Sequence, residues 1–146
     1  MRRILIGLAL ALLALPAFAQ GRNQNWTSCA DKNPDLSIAG CTAVIQSSGQ
    51  EGNEGFAIAY YKRGDAYYHK GLYDQAIEDE TRAIALKPDL ADAYGARGLI
   101  YEQQGRRDQA IADYRAALKL AADHPKLYAS VSGLAQQSLK RLGAAP

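Results

Sequence analysis

The chain contains 146 residues, of which 48% are apolar and 22% are charged. This length and composition indicate one globular domain and exclude intrinsic disorder and collagen-like sequence. The formal net charge is +2, and residues 20–146 carry 15 basic and 15 acidic side chains. A near-zero charge with no basic cluster gives no electrostatic basis for binding nucleic acid or an anionic membrane surface.

The first 19 residues have the pattern of a secretory signal peptide. Two arginines precede an apolar run from Ile4 to Leu15, and residues 17–19 match an A-x-A cleavage site. The run is about 12 residues long, whereas a membrane-spanning helix needs roughly 20. We therefore expect export to the periplasm or the exterior, with Gln20 as the mature N-terminus and no membrane insertion after cleavage.

Residues 20–56 predict a short helix, a second helix from Asp35 to Gln46 that follows Asn33-Pro34, and a loop over 47–55. Cys29 and Cys41 would lie on these two helices. An even cysteine count in an exported protein favours a disulfide, and free thiols are the alternative. Their spacing of 12 excludes a CxxC redox pair, and two distant histidines do not complete a zinc site, so we expect no metal and no cofactor.

An internal repeat occupies the centre of the chain. Shifting residues 57–90 by 34 positions aligns them without gaps on residues 91–124, with 15 of 34 positions identical. Apolar and small residues recur in each unit at helical spacing, in two segments separated by a glycine. The period and this pattern predict a helix hairpin in each unit.

The turn between the two helices of each unit has its own signals. Gly71 and Gly105 stand where a helix ends in a residue free to take positive φ. Asp74 and Asp108 stand three residues later and are expected to cap the second helices. Downstream, an apolar stripe through residues 125–142 predicts a terminal helix that caps the stack, followed by a short tail.

This pattern resembles the tetratricopeptide repeat (TPR) family. The family signature has eight positions: aromatic, leucine, glycine, tyrosine, alanine, aromatic, alanine and proline. In the first unit these positions are occupied by Tyr60, Arg63, Gly64, Tyr67, Ala76, Glu80, Ala83 and Pro88. In the second unit they are occupied by Tyr94, Arg97, Gly98, Tyr101, Ala110, Tyr114, Ala117 and Ala122. Arginine replaces the leucine in both units, and its charge is expected to stay in water above an apolar-packed stem. Glu80 replaces a core aromatic residue and suggests a less sealed core on its helix.

The resemblance implies an all-α fold, a right-handed superhelical stack of antiparallel helix hairpins. Residues 20–56 would hold a divergent first repeat, with Trp26 standing 34 positions before Tyr60. Residues 57–90 and 91–124 would be two regular repeats, and 125–146 a capping helix and tail. Terminal repeats are commonly atypical, so divergence of the first unit agrees with this reading.

In TPR proteins, fixed positions of each first helix build a concave groove that binds a partner. Carried over, these positions are Ile58, Tyr61, Asp65, Tyr68 and His69, then Asp92, Gly95, Leu99, Glu102 and Gln103, with Lys126 added by the capping helix. One subclass clamps a carboxylate with lysine, asparagine and arginine in the groove, and two of those positions hold Tyr61 or Gly95 and Asp65 or Leu99 instead. The acidic groove therefore favours a partner segment with basic and apolar side chains.

The function implied by the resemblance is that of an exported adaptor that binds a protein or an extended peptide segment. No nucleophile, metal-ligand or phosphate-loop motif points to an enzyme, and no catalytic residue is assigned. Two alternatives stay open. One is a self-assembly module of the cell envelope that forms a homo-oligomer. The other is a small-ligand or catalytic site built from Tyr61, Asp65, Tyr68 and His69.

Overall fold

A computed structural model describes residues 15–47 and 51–146, and within these ranges the chain forms helices and no strands. The helices are α1 Leu15–Cys29, α2 Pro34–Gln46, α3 Gly52–His69, α4 Tyr73–Leu86, α5 Ala91–Gln103, α6 Arg107–Asp123 and α7 Ala129–Arg141. The all-helical prediction is therefore confirmed. Most of the predicted signal segment lies outside the described residues, and α1 runs across the predicted cleavage point after Ala19.

The helices stack in two layers. Each helix packs on its neighbour in the chain, and α1 with α3, α3 with α5, and α5 with α7 are also in contact. In the described part of the chain, α2, α4 and α6 contact only the helices that precede and follow them. The odd-numbered helices thus form a continuous inner layer, and the even-numbered helices form the outer layer, as in a stack of helix hairpins.

Small residues make the close approach of the two layers possible. The completely buried alanines recur at matching places in both repeats: Ala57, Ala59, Ala76 and Ala83, then Ala91, Ala93, Ala110 and Ala117. Gly64 and Gly98 lie where the two helices of each hairpin come closest. A Cβ atom at Gly64 would stand 2.5 Å from Oε1 of Glu80, and one at Gly98 would stand 3.0 Å from the Tyr114 ring.

The hairpin turns follow the glycine prediction but not the capping prediction. Gly71 and Gly105 have φ of 72° and 71°, a conformation that favours glycine because it lacks a Cβ. However, α4 and α6 begin at residues 73 and 107, so Asp74 and Asp108 lie inside the first turn, and no side chain caps either helix. There the two carboxylates stand near the positive end of the helix dipole instead.

The guanidinium groups of Arg63 and Arg97 are not exposed to solvent as expected, because each is bound by a carboxylate of the next helix. Arg63 donates through Nε and Nη2 to the two oxygens of Asp79, at 2.7 and 2.9 Å, and Arg97 makes the same pair with Asp113 at 2.8 and 2.9 Å. The arginine side chains are only 14% and 17% exposed. A bidentate guanidinium–carboxylate pair is strong and directional, and it joins the two helices of each repeat.

Aromatic rings flank both of these arginines. The Arg63 guanidinium carbon lies 5.5 Å from the Tyr60 ring centre and 5.8 Å from that of Tyr67. Arg97 is flanked in the same way by two tyrosines, at 5.8 and 5.9 Å. The recurrence of tyrosine at period 34 therefore serves cation–π packing around a buried ion pair as well as apolar burial.

The leading unit is joined by a covalent bond. Cys29 at the end of α1 and Cys41 on α2 form a disulfide and are both buried. Asn33 caps α2, because its side-chain oxygen accepts hydrogen bonds from the backbone N–H groups of Asp35 and Leu36. The predicted α2 and its cap are thus present.

Two details of the leading unit differ from the expectation. Helix α3 already begins at Gly52, so the second half of the predicted 47–55 loop is helical. The inner helices end at Cys29, His69 and Gln103, which places the first two ends 40 residues apart and the next two 34 apart. The alignment of Trp26 with Tyr60 at a spacing of 34 is therefore wrong, because the extra residues lengthen α3 at its start.

The C-terminal helix covers the end of the second repeat. Val131 packs with Ala91, Ala117 and Ala121, while Ala135 and Leu139 pack around Tyr114. A Cβ at Gly95 would meet Val131 Cγ2 at 2.4 Å, so this glycine lets α7 lie directly against α5. Over the described ranges, none of the helices combines the length and apolar character needed to cross a membrane.

Candidate functional site

A cavity of about 210 Å³ opens on the inner layer between α3, α5 and α7. Its polar and aromatic lining residues are Tyr61, Asp65, Tyr68, Glu80, Asp92 and Ser130. Its aliphatic lining residues are Ala96, Leu99, Ile100, Val131 and Leu134. The site thus combines three carboxyl groups with two aromatic rings and an apolar wall.

Five of the predicted groove residues meet in this cavity. Tyr61, Asp65 and Tyr68 come from one face of α3, and Asp92 and Leu99 come from the matching face of α5. Residues three and four apart on a helix share a face, and α3 and α5 are in direct contact. The helical spacing and the 34-residue period together bring these side chains into one place.

The other predicted groove residues lie elsewhere. Ile58 is half-buried and does not line the cavity. His69 is an exposed residue at the end of α3, with Nε2 3.6 Å from Asp65 Oδ2, and it borders a separate hollow beside the leading unit. Gln103 is exposed at the end of α5, and Lys126 is exposed in the connection before α7 rather than on the capping helix.

Glu102 is occupied by partners within the protein. Its two carboxylate oxygens accept hydrogen bonds from Nε and Nη2 of Arg141 at 2.7 and 3.0 Å, and from the Tyr114 hydroxyl at 2.8 Å. The Arg141 guanidinium is the main reason that the pKa of Glu102 lies below its usual value. Helix α7 therefore supplies a counter-charge to Glu102, and the role of Glu102 in binding a partner stays a prediction.

Glu80 is the unusual group of the site. Its side chain is completely buried, and neither carboxyl oxygen has a hydrogen-bond partner. Burial strongly favours the neutral form and raises the pKa of Glu80 well above its usual value, with further contributions from the negative charges of Asp65 and Asp79. Arg97 acts in the opposite direction, but its guanidinium is already bound to Asp113 and to Oγ1 of Thr81.

Burial affects two further polar groups of the cavity, Tyr61 and Asp92, in the same direction. Burial, followed by the negative charge of Asp92, raises the pKa of Tyr61 beyond its usual value. Burial alone raises the pKa of Asp92. Burial therefore disfavours negative charge at Glu80, Tyr61 and Asp92, and none of the described residues that line the cavity is basic.

Sequence reasoning missed two parts of the site. The α7 wall of Ser130, Val131 and Leu134 was not predicted, because it depends on where the capping helix lies against α5. Glu80 stood out as a departure from the repeat pattern but was not assigned to the groove. Its position beside a glycine on the facing helix was the signal that could have placed it there. In the described chain, no group of three or more histidine, cysteine or acidic side chains is arranged to hold a metal ion.

Two family models match the central part of the chain. One, described as a TPR repeat, matches residues 64–105, and the other, described as a tetratricopeptide repeat, matches residues 91–124. Residues 64–124 of the chain are tetratricopeptide repeats. No curated protein matches the sequence of this TPR protein.

Solved structures agree with the family and the fold. The TPR domain of Arabidopsis OM64 is 24% identical with a TM-score of 0.68, over 85% of this chain and 92% of that domain. The TPR2B domain of yeast Sti1, solved in complex with pHsp70, is 16% identical with a TM-score of 0.67, over 84% and 96%. MamA protein is 26% identical with a TM-score of 0.62, over 88% of this chain and 72% of that one.

These likenesses establish the helical repeat stack of this TPR protein. The TPR fold is a scaffold for protein–protein interaction, and TPR proteins are generally not catalytic. Fold alone does not identify a partner, which has to be argued from the site.

Proposed function

We propose that this TPR protein is an exported adaptor, without catalytic activity, that binds another protein through an extended segment carrying basic and apolar side chains. The binding surface is the inner layer around the cavity between α3, α5 and α7. Export rests on the signal-peptide pattern of residues 1–19, and the buried disulfide supports it because such bonds persist in oxidising compartments.

The observation that carries the proposal is the composition of the cavity. Asp65, Glu80 and Asp92 line it together with the apolar side chains of Leu99, Val131 and Leu134. A segment that carries both basic and apolar side chains would match this mixed lining, whereas an acidic segment would be repelled. The solved complex of the Sti1 TPR2B domain with pHsp70 supports a protein partner in general terms.

The test is affinity capture from envelope extract with the full chain, purified as the cell exports it, followed by binding measurements with the purified partner. A first variant carries Asp65→Ala and Asp92→Ala, and its matched control carries Glu78→Ala and Asp108→Ala. The control removes the same charge from exposed positions of α4 and α6. We expect the first variant to bind the partner at least about tenfold more weakly, because charged contacts contribute about 1.5–3 kcal/mol each.

The control is expected to bind like the unchanged protein. Equal affinities for all three proteins would contradict the concave-face proposal. Light scattering over a range of protein concentrations tests self-assembly separately, since a homo-oligomer would gain mass with concentration without any second protein.

A further inference from the structure

The buried Glu80 carboxyl group lacks any partner inside the protein. Leaving such a group unpaired in the interior is costly, and most buried polar atoms in proteins are hydrogen-bonded. Here both oxygens are unpaired. The room for them exists because Gly64 has no side chain, since a Cβ there would collide with Glu80 Oε1.

The second repeat solves the same problem in a different way. Tyr114 takes the place of Glu80 and packs against Gly98. Its hydroxyl group donates a hydrogen bond to the Glu102 carboxylate. The first repeat has Tyr68 where the second has Glu102, so no carboxylate–arginine pair closes the site. Glu80 therefore lines a cavity while its carboxyl oxygens have no partner, whereas Tyr114, the corresponding residue of the second repeat, is hydrogen-bonded.

The surroundings of Glu80 match the chemistry of an organic cation. Asp65 and Asp92 add two further carboxyl groups to the cavity, and Tyr61 and Tyr68 add two aromatic rings. Carboxylates and ring faces together attract ammonium and guanidinium groups. Arg97, the nearest basic influence on Glu80, already makes three hydrogen bonds to Asp113 and Thr81 and cannot serve as the counter-ion.

The size of the cavity decides what kind of cation fits. Sites that enclose a drug-sized molecule have volumes of roughly 300–1,000 Å³. The cavity here measures about 210 Å³, which suits one long side chain better than a free ligand of that size. The aliphatic wall of Leu99, Val131 and Leu134 can cover the methylene stem of such a side chain while its charged end reaches the carboxyl groups.

We propose that the cavity receives a single lysine or arginine side chain from the partner segment, and that Glu80 is its buried counter-ion. This inference rests on the proposed adaptor function and names the residue type that anchors the partner. Ion pairing would remove the proton from Glu80, so binding releases a proton and becomes tighter as pH rises. The charged groups around Glu80 are Asp65, Asp79, Asp92 and Arg97, while α7 brings no ionisable side chain to the cavity.

The test uses two kinds of probe on the full chain, purified as exported. Butylammonium and propylguanidinium reproduce the ends of lysine and arginine, with butanol as the neutral control. A heptapeptide of alanine and leucine with lysine at its centre, acetylated and amidated at its ends, reproduces an extended segment, and norleucine in place of lysine gives its control. Binding is followed by NMR, through the side-chain carboxyl carbon of Glu80 and through backbone amides near the cavity.

We expect both cations and the lysine peptide to shift the Glu80 carboxyl resonance, and the peptide to bind more tightly at pH 8 than at pH 5.5. Glu80→Gln should weaken peptide binding about ten- to a hundredfold and abolish its pH dependence, because a charge-assisted contact is lost. Glu78→Gln is the matched control, since Glu78 lies on the same helix but is exposed and paired with Arg82. Asp92→Asn is a second variant with an intermediate expected loss.

The remaining outcomes overturn the inference in separate ways. If the free cations bind and the lysine peptide does not, the cavity serves a free amine and not a partner side chain. If neither binds at Glu80, the counter-ion role is wrong. The adaptor proposal is tested independently by the capture experiment, so a captured partner that binds equally well to Glu80→Gln would leave that proposal standing and refute this one.

Discussion

The two regular repeats share one helix hairpin plan but place different residues against the same glycine of the inner helix. Both have an arginine of the inner helix bound by an aspartate of the outer helix, and both have a glycine at the closest approach of the two helices. Against that glycine, the repeat of residues 57–90 places Glu80 and the repeat of residues 91–124 places Tyr114. One of these groups is unpartnered, and the other is hydrogen-bonded to Glu102.

This comparison distinguishes the residues that hold each hairpin together from the residue that we propose for binding. The ion pair and the glycine recur because each hairpin needs its helices joined at short distance. The residue against the glycine is free to vary, since either a ring or a carboxyl group can occupy the space. Where it is Tyr114, the core is closed. Where it is Glu80, a polar group that the protein itself does not satisfy lies beside an open cavity.

The largest expected effect concerns the feature that the two repeats share. Asp79→Ala and Asp113→Ala should each lower the free energy of unfolding by about 3–5 kcal/mol, because each leaves a largely buried arginine without its partner. Urea denaturation followed by circular dichroism measures this. Asp108→Ala is the control, since Asp108 is almost fully exposed and should change stability by less than about 0.5 kcal/mol. If only one of the two variants lost stability, the ion pairs of the two repeats would not be equivalent.

The leading unit allows a second comparison, because a disulfide connects its helices where the repeats use ion pairs. Changing Cys29→Ser together with Cys41→Ser should cost the leading unit roughly 3 kcal/mol, the effect of opening a loop of this length. Hydrogen exchange should become faster in α1 and α2 and stay unchanged in α5 and α6. Equal loss of protection in all helices would show that the stack unfolds as one unit instead.

A smaller effect should distinguish the two core positions by their pH dependence. Since the folded-state pKa of Glu80 is raised, the folded protein binds a proton that the unfolded chain has already lost at neutral pH. The stabilisation that comes from this bound proton is complete below the pKa of glutamate in the unfolded chain, about 4.3. It is lost as the pH rises towards the pKa in the folded protein, at about 1.4 kcal/mol per pH unit.

Denaturation of the protein and of Glu80→Gln at several values between pH 4.5 and pH 8 tests this. The free energy difference should grow with pH in favour of the Gln variant. Tyr114→Phe should show no such slope against the unchanged protein, since burial raises the pKa of Tyr114 and its hydroxyl does not titrate in this range. Parallel curves for Glu80→Gln and the unchanged protein would mean that Glu80 titrates normally.

Much of the fold could be predicted because its signals are local or periodic. The positive-φ glycines at 71 and 105 and the cap at Asn33 each depend on a few adjacent residues, and the structure has them. The helix hairpins follow from the 34-residue period. The partners of Arg63 and Arg97 were not predicted, because the expectation considered each arginine against solvent only. An arginine and an aspartate sixteen residues apart recur in both repeats, and that joint recurrence was the available signal.

The candidate site could be predicted only on the helices that carry the repeat. Tyr61, Asp65, Tyr68, Asp92 and Leu99 share the inner layer as the family pattern implies. Glu102 lies outside the cavity lining and is paired with Arg141, 39 residues away. Lys126 lies outside the capping helix, which begins at Ala129, three residues later. Both differences from the expected groove come from the terminal helix, which follows no repeat.

By itself, the sequence determined the helix hairpins. The repeat period, the small residues and the turn glycines act within each unit, so they can be recognised from the sequence alone. Only the tertiary structure decided which polar groups lose contact with water. Glu80 is buried because α3 and α5 both pack against α4, and the cavity between α3, α5 and α7 lies beside it. Desolvation depends on everything that surrounds a group, so the most informative residue of this site became visible only when the whole stack was assembled.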